Sequence, residues 1–175
     1  GDLVREYLTL AYPKKKFIFK KIKPYSGKNS GLGITLLQCK KLLQKPFVFI
    51  SCDTIISQKI NNIDSNWIGY SYSKDSTQYR TLRIKKNLAL SLYEKLHNKA
   101  SKNAYIGLAG IKDYKIFWSE LSRYKDKAKI QGEVLGLKAI MKTKCLKAKK
   151  FNWHDIGNLN SYKVVQKKFL NKKKP

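Results

Sequence analysis

The chain has 175 residues, 42% of them hydrophobic and 12% aromatic, enough to bury the core of one globular domain. No apolar run approaches the roughly 20 residues of a membrane-spanning helix, and the start, Gly1-Asp2-Leu3-Val4-Arg5, lacks the basic-then-apolar pattern of a secretory signal. With 38 Lys and Arg against 11 Asp and Glu, the net charge of +27 makes nucleic acid the first partner to weigh. Lys supplies nearly all of that charge, however, and spreads it along the whole chain. Arg, which reads bases by bidentate contacts, occurs only at Arg5, Arg80, Arg83 and Arg123. The pattern reads as a drift toward Lys, Asn and Ile, so nucleic acid is not the expected partner. Cys39, Cys52 and Cys145 are odd in number and at no metal-ligand spacing, which predicts buried free thiols in a reducing cytoplasm.

In chain order, residues 2–12 read as a helix with Leu3, Tyr7 and Leu8 on one face, ended by Pro13. Residues 16–22 (KFIFKKI) alternate as a strand would, and 24–33 (PYSGKNSGLG) have loop composition. Residues 34–44 follow as a helix, since Leu36, Cys39 and Leu43 recur at helical spacing before Pro46. The continuous apolar run Phe47-Val48-Phe49-Ile50 predicts a strand buried on both faces in a parallel sheet. Short strands are expected at 67–73, 81–86 and 88–94, and a buried strand at 104–111. Asp113 can cap a helix with Tyr114, Phe117, Trp118 and Leu121 on its face. Further helices are expected at 132–141 and 160–170, the second presenting Tyr162, Val165 and Phe169. There is no internal repeat and no long linker, so residues 1–170 form one α/β domain, followed by a basic tail at 171–175 that is expected to fray.

Asp53 follows the 47–50 strand by two residues, at the carboxyl edge where open α/β sheets bind ligands, and a carboxylate there suits a hard divalent cation or a simple turn. Asp155 lies in the loop Trp153-His154-Asp155-Ile156-Gly157-Asn158, readable as a second metal carboxylate or as an Asx-turn before the last helix. Glu94-Lys95 ends a strand; Lys there can meet a phosphate and Glu a sugar hydroxyl, or the two form a surface ion pair. Gly31-Leu32-Gly33 opens a helix, where glycines let a ligand approach the backbone, but no Walker sequence follows. His97 and His154 have no nucleophile or acid at catalytic spacing and read as surface or packing residues.

These pieces, in this order, resemble the sugar-1-phosphate nucleotidyltransferase family, whose Rossmann-like catalytic fold is shared with glycosyltransferases of type A. The look is nearest to capsule and surface-polysaccharide members. Gly31-Leu32-Gly33-Ile34-Thr35-Leu36-Leu37 is similar to the family's Gly-rich turn beside the nucleobase. Phe47 to Thr54 is similar to its strand ending in the metal-binding Asp. Tyr93-Glu94-Lys95 with Asn103-Ala104-Tyr105-Ile106-Gly107 is similar to its sugar-phosphate pocket, and Phe151 to Asn158 to its second metal loop. Trp67-Ile68-Gly69-Tyr70 matches a segment whose Gly lies against the sugar.

The resemblance spans about residues 1–170. It implies a mixed, mostly parallel sheet flanked by helices, of the nucleotide-diphospho-sugar transferase type. It also implies a Mg²⁺-dependent enzyme that joins a nucleoside triphosphate to a sugar 1-phosphate, or a similar phosphorylated alcohol, with release of pyrophosphate. Asp53 and Asp155 are its implied metal ligands, Lys95 the third catalytic residue, and Gly31, Leu32, Gly33, Gly69, Glu94 and Asn103 its substrate contacts. The family's first strand and phosphate loop, with their Arg and Lys, have no counterpart and by pattern precede Gly1, so the sequence reads as truncated at its front. Leu96 stands where the family has Pro, and Ile156 where Thr is common. A cytoplasmic enzyme is implied, with homo-oligomerisation left open. The rival readings are a noncatalytic basic nucleic-acid-binding domain, which would present aromatics among its lysines, and an inactive transferase fragment.

Overall fold

A computed structural model describes residues 1–60, 62–97 and 100–170, except for the side chains of 169 and 170. The expected tail at 171–175 and the Phe169 side chain lie outside the described residues. The helices are α1 (Asp2–Ala11), α2 (Leu32–Cys39), α3 (Tyr114–Arg123), α4 (Lys125–Gln131), α5 (Glu133–Thr143) and α6 (Leu159–Leu170). The strands are β1 (Phe47–Ile50), β2 (Thr54–Ile56), β3 (Trp67–Tyr72), β4 (Thr81–Lys85), β5 (Leu88–Tyr93), β6 (Asn103–Ile111), β7 (Lys147–Lys150) and β8 (Trp153–Asp155).

The main sheet has the order β1-β6-β3-β7-β5-β4, and β4 pairs back onto β6 through Thr81 and Ala104, so five of the six strands close into a ring. Among the described residues the one parallel pairing is β3 with β7; every other ladder is antiparallel. The expectation of a mostly parallel sheet is therefore corrected, and so is the reading of β1. This strand runs antiparallel to β6, and its residues alternate, with Phe47 and Phe49 buried and Ile50 at 48% exposure. An unbroken apolar run does not by itself distinguish a strand covered on both faces from one covered on one.

Alternation in the strands separates two cores. On one face Phe47, Phe49, Ile68, Tyr105, Ala109 and Ile111 meet helices α2 to α5 through Leu36, Phe117, Trp118, Leu121, Val134, Leu137 and Ile140. On the other, Trp67, Ile106, Leu108 and Phe151 pack with Val48, Ile56 and Trp153 beneath the small β2–β8 sheet. Phe47 stacks on Trp118, their centroids 5.4 Å apart, while Phe117 meets both rings edge-on. These aromatics are core residues, not bases' stacking platforms.

Three other expectations change. Residues 16–22 form no strand, because no neighbouring strand pairs with them, and α1 buries none of its residues despite its apolar face. The 34–44 helix starts at Leu32 and ends at Cys39, with a single 3-10 turn (Lys40–Leu42) before Pro46. Cys52 and Cys145 are exposed and Cys39 half-buried, so the cysteines are free thiols but not buried ones.

The feature that positions the site is a bulge in β6. Between Ile68 and Tyr70, β3 spends three residues where β6 spends five, from Ala109 back to Tyr105. Gly107 sits at its centre with φ +66, a value few side chains tolerate, and a Cβ there would run into the Ser51 hydroxyl. The opposite edge of β6 forks at this point. Gly107 O accepts from Ser51 N at the end of β1 (2.8 Å), whereas Tyr105 N donates to Arg80 O at the start of β4 (2.8 Å). The strands diverge, and a cleft opens between them.

Candidate active site

The cleft holds about 420 Å³. One wall comes from β1 and β2 (Ser51, Asp53, Thr54), one from β8 and its turn (Trp153, Asp155, Gly157, Asn158), and one from the run into β4 (Gln78, Tyr79, Arg80). Lys95, Leu32 and Glu133 close the far side, and Tyr105 to Gly107 form the floor.

Asp53 and Asp155 are brought together by the β2–β8 ladder, in which Thr54 faces Asp155. Ile156 N donates to Asp53 O at 3.0 Å and ties the two chain segments beyond the ladder. Thr54 Oγ1 donates to Ile106 O (2.6 Å) and anchors this small sheet on the bulge. Period-2 alternation in β8 sends Trp153 and Asp155 to the cleft, while His154 lies 3.5 Å from Lys168 Nζ. Both carboxylates flank Gly157. A Cβ built there would stand 3.1 Å from Asp155 Oδ1 and 3.5 Å from Asp53 Oδ2. The glycine thus keeps the space between the two acids free of side chain.

Asp155 is oriented by two donors, Gly157 N to Oδ1 and the Tyr79 hydroxyl to Oδ2, both at 2.8 Å. Tyr79 packs edge-on against Trp153 with centroids 5.1 Å apart. Burial, together with the hydrogen bond and charge of Asp155, pushes the Tyr79 phenol up to about 12, so it stays a donor across the physiological range. Asp53 is exposed and makes no side-chain hydrogen bond among the described residues. Hard oxygen donors of this kind fit Mg²⁺, which takes one or two carboxylates and completes its octahedron with water and substrate phosphates. Among the described residues no group of three or more His, Cys, Asp or Glu could hold a metal, so these two carboxylates are the acids the protein would offer one here.

Two cations, Arg80 and Lys95, also line the cleft. Arg80 Nε donates to Glu94 Oε2 (2.7 Å) and Lys138 Nζ to Glu94 Oε1 (2.8 Å). Burial opposes the charge on Glu94, but these two cations outweigh it and hold its carboxyl below the usual range. Behind them Glu133, 3% exposed, stands beside the fully buried Tyr105 phenol, and neither Glu133 Oε2 nor Tyr105 Oη has a hydrogen-bond partner of ordinary geometry. Burial pushes Glu133 up toward its neutral form, against the pull of its own backbone N–H, Tyr105 and Arg80.

Of the residues singled out in the sequence, Asp53, Asp155, Lys95 and Leu32 line the cleft. Gly31 and Gly33 face helix α4 instead: a Cβ at Gly31 would meet Lys129 O at 2.5 Å, and one at Gly33 would overlap the Ala128 carbonyl. Gly69 is buried in β3 against Leu108 and Ile106, and Asn103 reaches Leu82 O at 3.4 Å. Glu94 engages Arg80 and Lys138, not Lys95. Tyr79, Arg80, Tyr105 and Glu133 were not singled out as site residues. Arg80 meets Glu94 across the β4–β5 hairpin, in which Thr81 faces Tyr93, and Tyr79 meets Asp155 where the run into β4 passes the separate β2–β8 sheet.

The sequence matches no protein-family model and no curated protein. Solved structures do match. A Bacillus anthracis protein described as a glucose-1-phosphate thymidylyltransferase, in complex with sucrose, superposes with a TM-score of 0.75 at 19% identity, covering 94% of this chain and 70% of that one. A UDP-glucose pyrophosphorylase complexed with UDP-glucose gives 0.73 at 18% identity, covering 98% and 74%. The CTP:phosphocholine cytidylyltransferase of Streptococcus pneumoniae gives 0.67 at 14% identity, covering 96% and 74%. The chain therefore has the mixed α/β fold of nucleotidyltransferase structures, and at these identities the likeness is one of fold. Among the described residues no helix is long and apolar enough to cross a membrane.

Proposed function

We propose that the protein is a nucleotidyltransferase acting on a nucleoside triphosphate and a sugar 1-phosphate or similar phosphorylated alcohol, of the kind that supplies surface-polysaccharide synthesis. One observation carries the reading. Two carboxylates about a hundred residues apart in sequence converge, beside a side-chain-free gap, on a cleft that Arg80 and Lys95 also line. Paired acids and two cations in one cleft fit a reaction between two phosphates, one of them bound through a cation.

In the proposed reaction an acceptor phosphate oxygen forms a bond to the α-phosphorus, the bond from that phosphorus to the bridging oxygen breaks, and pyrophosphate leaves with the electron pair. Such transfer needs positioning and charge neutralisation more than covalent help. Asp53 and Asp155 would hold Mg²⁺, which when bound neutralises charge on the reacting phosphates. Tyr79 and Gly157 N fix Asp155. Lys95, which lines the cleft, would neutralise the acceptor phosphate, and the exposed Leu32 would give an apolar border to the base. Glu94 is committed to Arg80 and Lys138, so it acts by holding them and not as a sugar ligand.

The test is pyrophosphate release from each of the four nucleoside triphosphates in turn, with Mg²⁺ and a panel of sugar 1-phosphates and phosphocholine. Release that requires both substrates and is abolished by Asp53→Ala is expected. Release from no pairing, or near-normal turnover in Asp53→Ala, would refute the assignment.

A further inference from the structure

Arg80 is the one cation of the cleft whose orientation is fixed from behind. Its Nε–H is spent on Glu94 Oε2, and Glu94 is itself pinned through Oε1 by Lys138 on α5. The side chains of Arg80 and Lys138 are only 25% and 30% exposed. A guanidinium carries five N–H donors in one plane, and among the described residues no hydrogen bond takes the four on the two Nη atoms. Arg80 lines the cleft beside Lys95, with the metal-type acids Asp53 and Asp155 among the other lining residues. The other acid near Arg80, Glu133, is buried and pushed toward its neutral form, so among the described residues the charged partner of the guanidinium is Glu94, which it shares with Lys138. Its backbone neighbour Tyr79 donates to Asp155, so the dipeptide 79–80 joins the carboxylate pair to Glu94.

A planar fork of two free donor pairs, pre-oriented and facing a ligand cleft, matches the geometry of a phosphate group, which it can take in a bidentate manner. We propose that Arg80 is the residue that binds the phosphate of the acceptor, with Lys95 as an adjoining point charge and Glu94 as the positioning residue that holds the fork. The phosphate site stands on the geometry of Arg80; only the identity of its ligand as the acceptor rests on the nucleotidyl-transfer reading. The acceptor is favoured over the triphosphate because the proposed seat of the triphosphate's cation is the Asp53–Asp155 pair, and Arg80 is held by Glu94 and not by either of those acids.

Isothermal titration of the whole chain with inorganic phosphate, glucose 1-phosphate and, separately, Mg²⁺-UTP tests this. Arg80→Met and Arg80→Lys are each expected to weaken inorganic phosphate and glucose 1-phosphate by about tenfold or more, the loss of a charge-assisted bond, while UTP affinity stays within about twofold. Arg80→Lys keeps the charge and should keep the fold, as its thermal midpoint will report, so it decides the matter if Arg80→Met unfolds. Phosphate affinity in Arg80→Lys equal to wild type would overturn the fork. A fall in UTP affinity matching that for phosphate would overturn the acceptor assignment. Glu94→Gln is expected to weaken phosphate binding even though it makes the chain more positive; tighter binding, as simple charge would give, would overturn its positioning role. If no pyrophosphate release is found while Arg80 still governs phosphate binding, the transfer reading fails and the phosphate site stands.

Discussion

Replacing Gly33 with Ala separates two roles for the glycines that open α2. The structure puts Gly33 at the crossing of α2 and α4, where an added Cβ would overlap the Ala128 carbonyl and lie 2.9 Å from the Ala128 Cβ. Ordinary contacts of this kind begin near 3.4 Å, and the obstacle is helix backbone, so α2 must move outward or tilt. Overpacking of a close helix crossing costs about 1–3 kcal/mol. Ala is the better helix former and offsets up to about 1 kcal/mol of that. The net expectation is a loss of about 1–2 kcal/mol, or a fall in Tm of roughly 2–8 °C for a domain of this size. Urea denaturation followed by tryptophan fluorescence reads it directly, since Trp118 lies in the same core. An unchanged slope with a lower midpoint is expected. A midpoint that rises, as it would for a helix glycine with nothing beside it, would refute the packing role and return Gly33 to the ligand.

Three further outcomes follow from the same geometry. Tyr79→Phe should remove one phenol titrating near 12 from the alkaline absorbance curve, because burial and Asp155 set that value; an unaltered curve would place the hydroxyl elsewhere. Glu133 binds its proton more tightly folded than unfolded, so its contribution is most favourable below the ordinary value of 4.5 and declines as pH rises through the raised folded value; Glu133→Gln should flatten that decline relative to wild type above pH 4.5, and an identical pH profile would contradict it. Gly107→Ala should destabilise by about 1–3 kcal/mol, through φ +66 and the Ser51 hydroxyl, and a neutral result in a thermal melt would show that the fork of β6 relaxes freely.

Much of the secondary structure was legible because period and punctuation agree with it. Helices α3 and α5 follow their apolar stripes within two residues, β4 and β5 follow their alternation, and β3 and β6 fall where a short and a buried strand are expected. What was not legible is what depends on partners. β7 reads Lys-Ala-Lys-Lys and has no apolar signature; it exists because β3 and β5 offer open edges to Lys147 and its neighbours. β2 and β8 are three residues each and form only by pairing with one another. Residues 16–22 have the pattern of a strand and no partner, and they form none. Strand direction was misjudged at β1 for the same reason, since Phe-Val-Phe-Ile carries no information on its neighbour's polarity. At the site, Asp53 and Asp155 were legible as residues, each next to a strand or a Gly turn. Arg80 and Tyr79 were not: Glu94 faces Arg80 only through the register of the β4–β5 hairpin, and Asp155 lies 76 residues from Tyr79 in the separate β2–β8 sheet.

The central claim is that Asp53 and Asp155 serve one divalent cation between them. A double-mutant cycle on Mg²⁺-dependent pyrophosphate release, with Asp53→Asn, Asp155→Asn and the pair, measures it most directly. Two ligands of one ion act as a unit, so each single change should cost about a hundredfold or more and the pair little beyond either alone. Losses that multiply in the pair, or a single variant that turns over at the wild-type rate, would contradict the shared site.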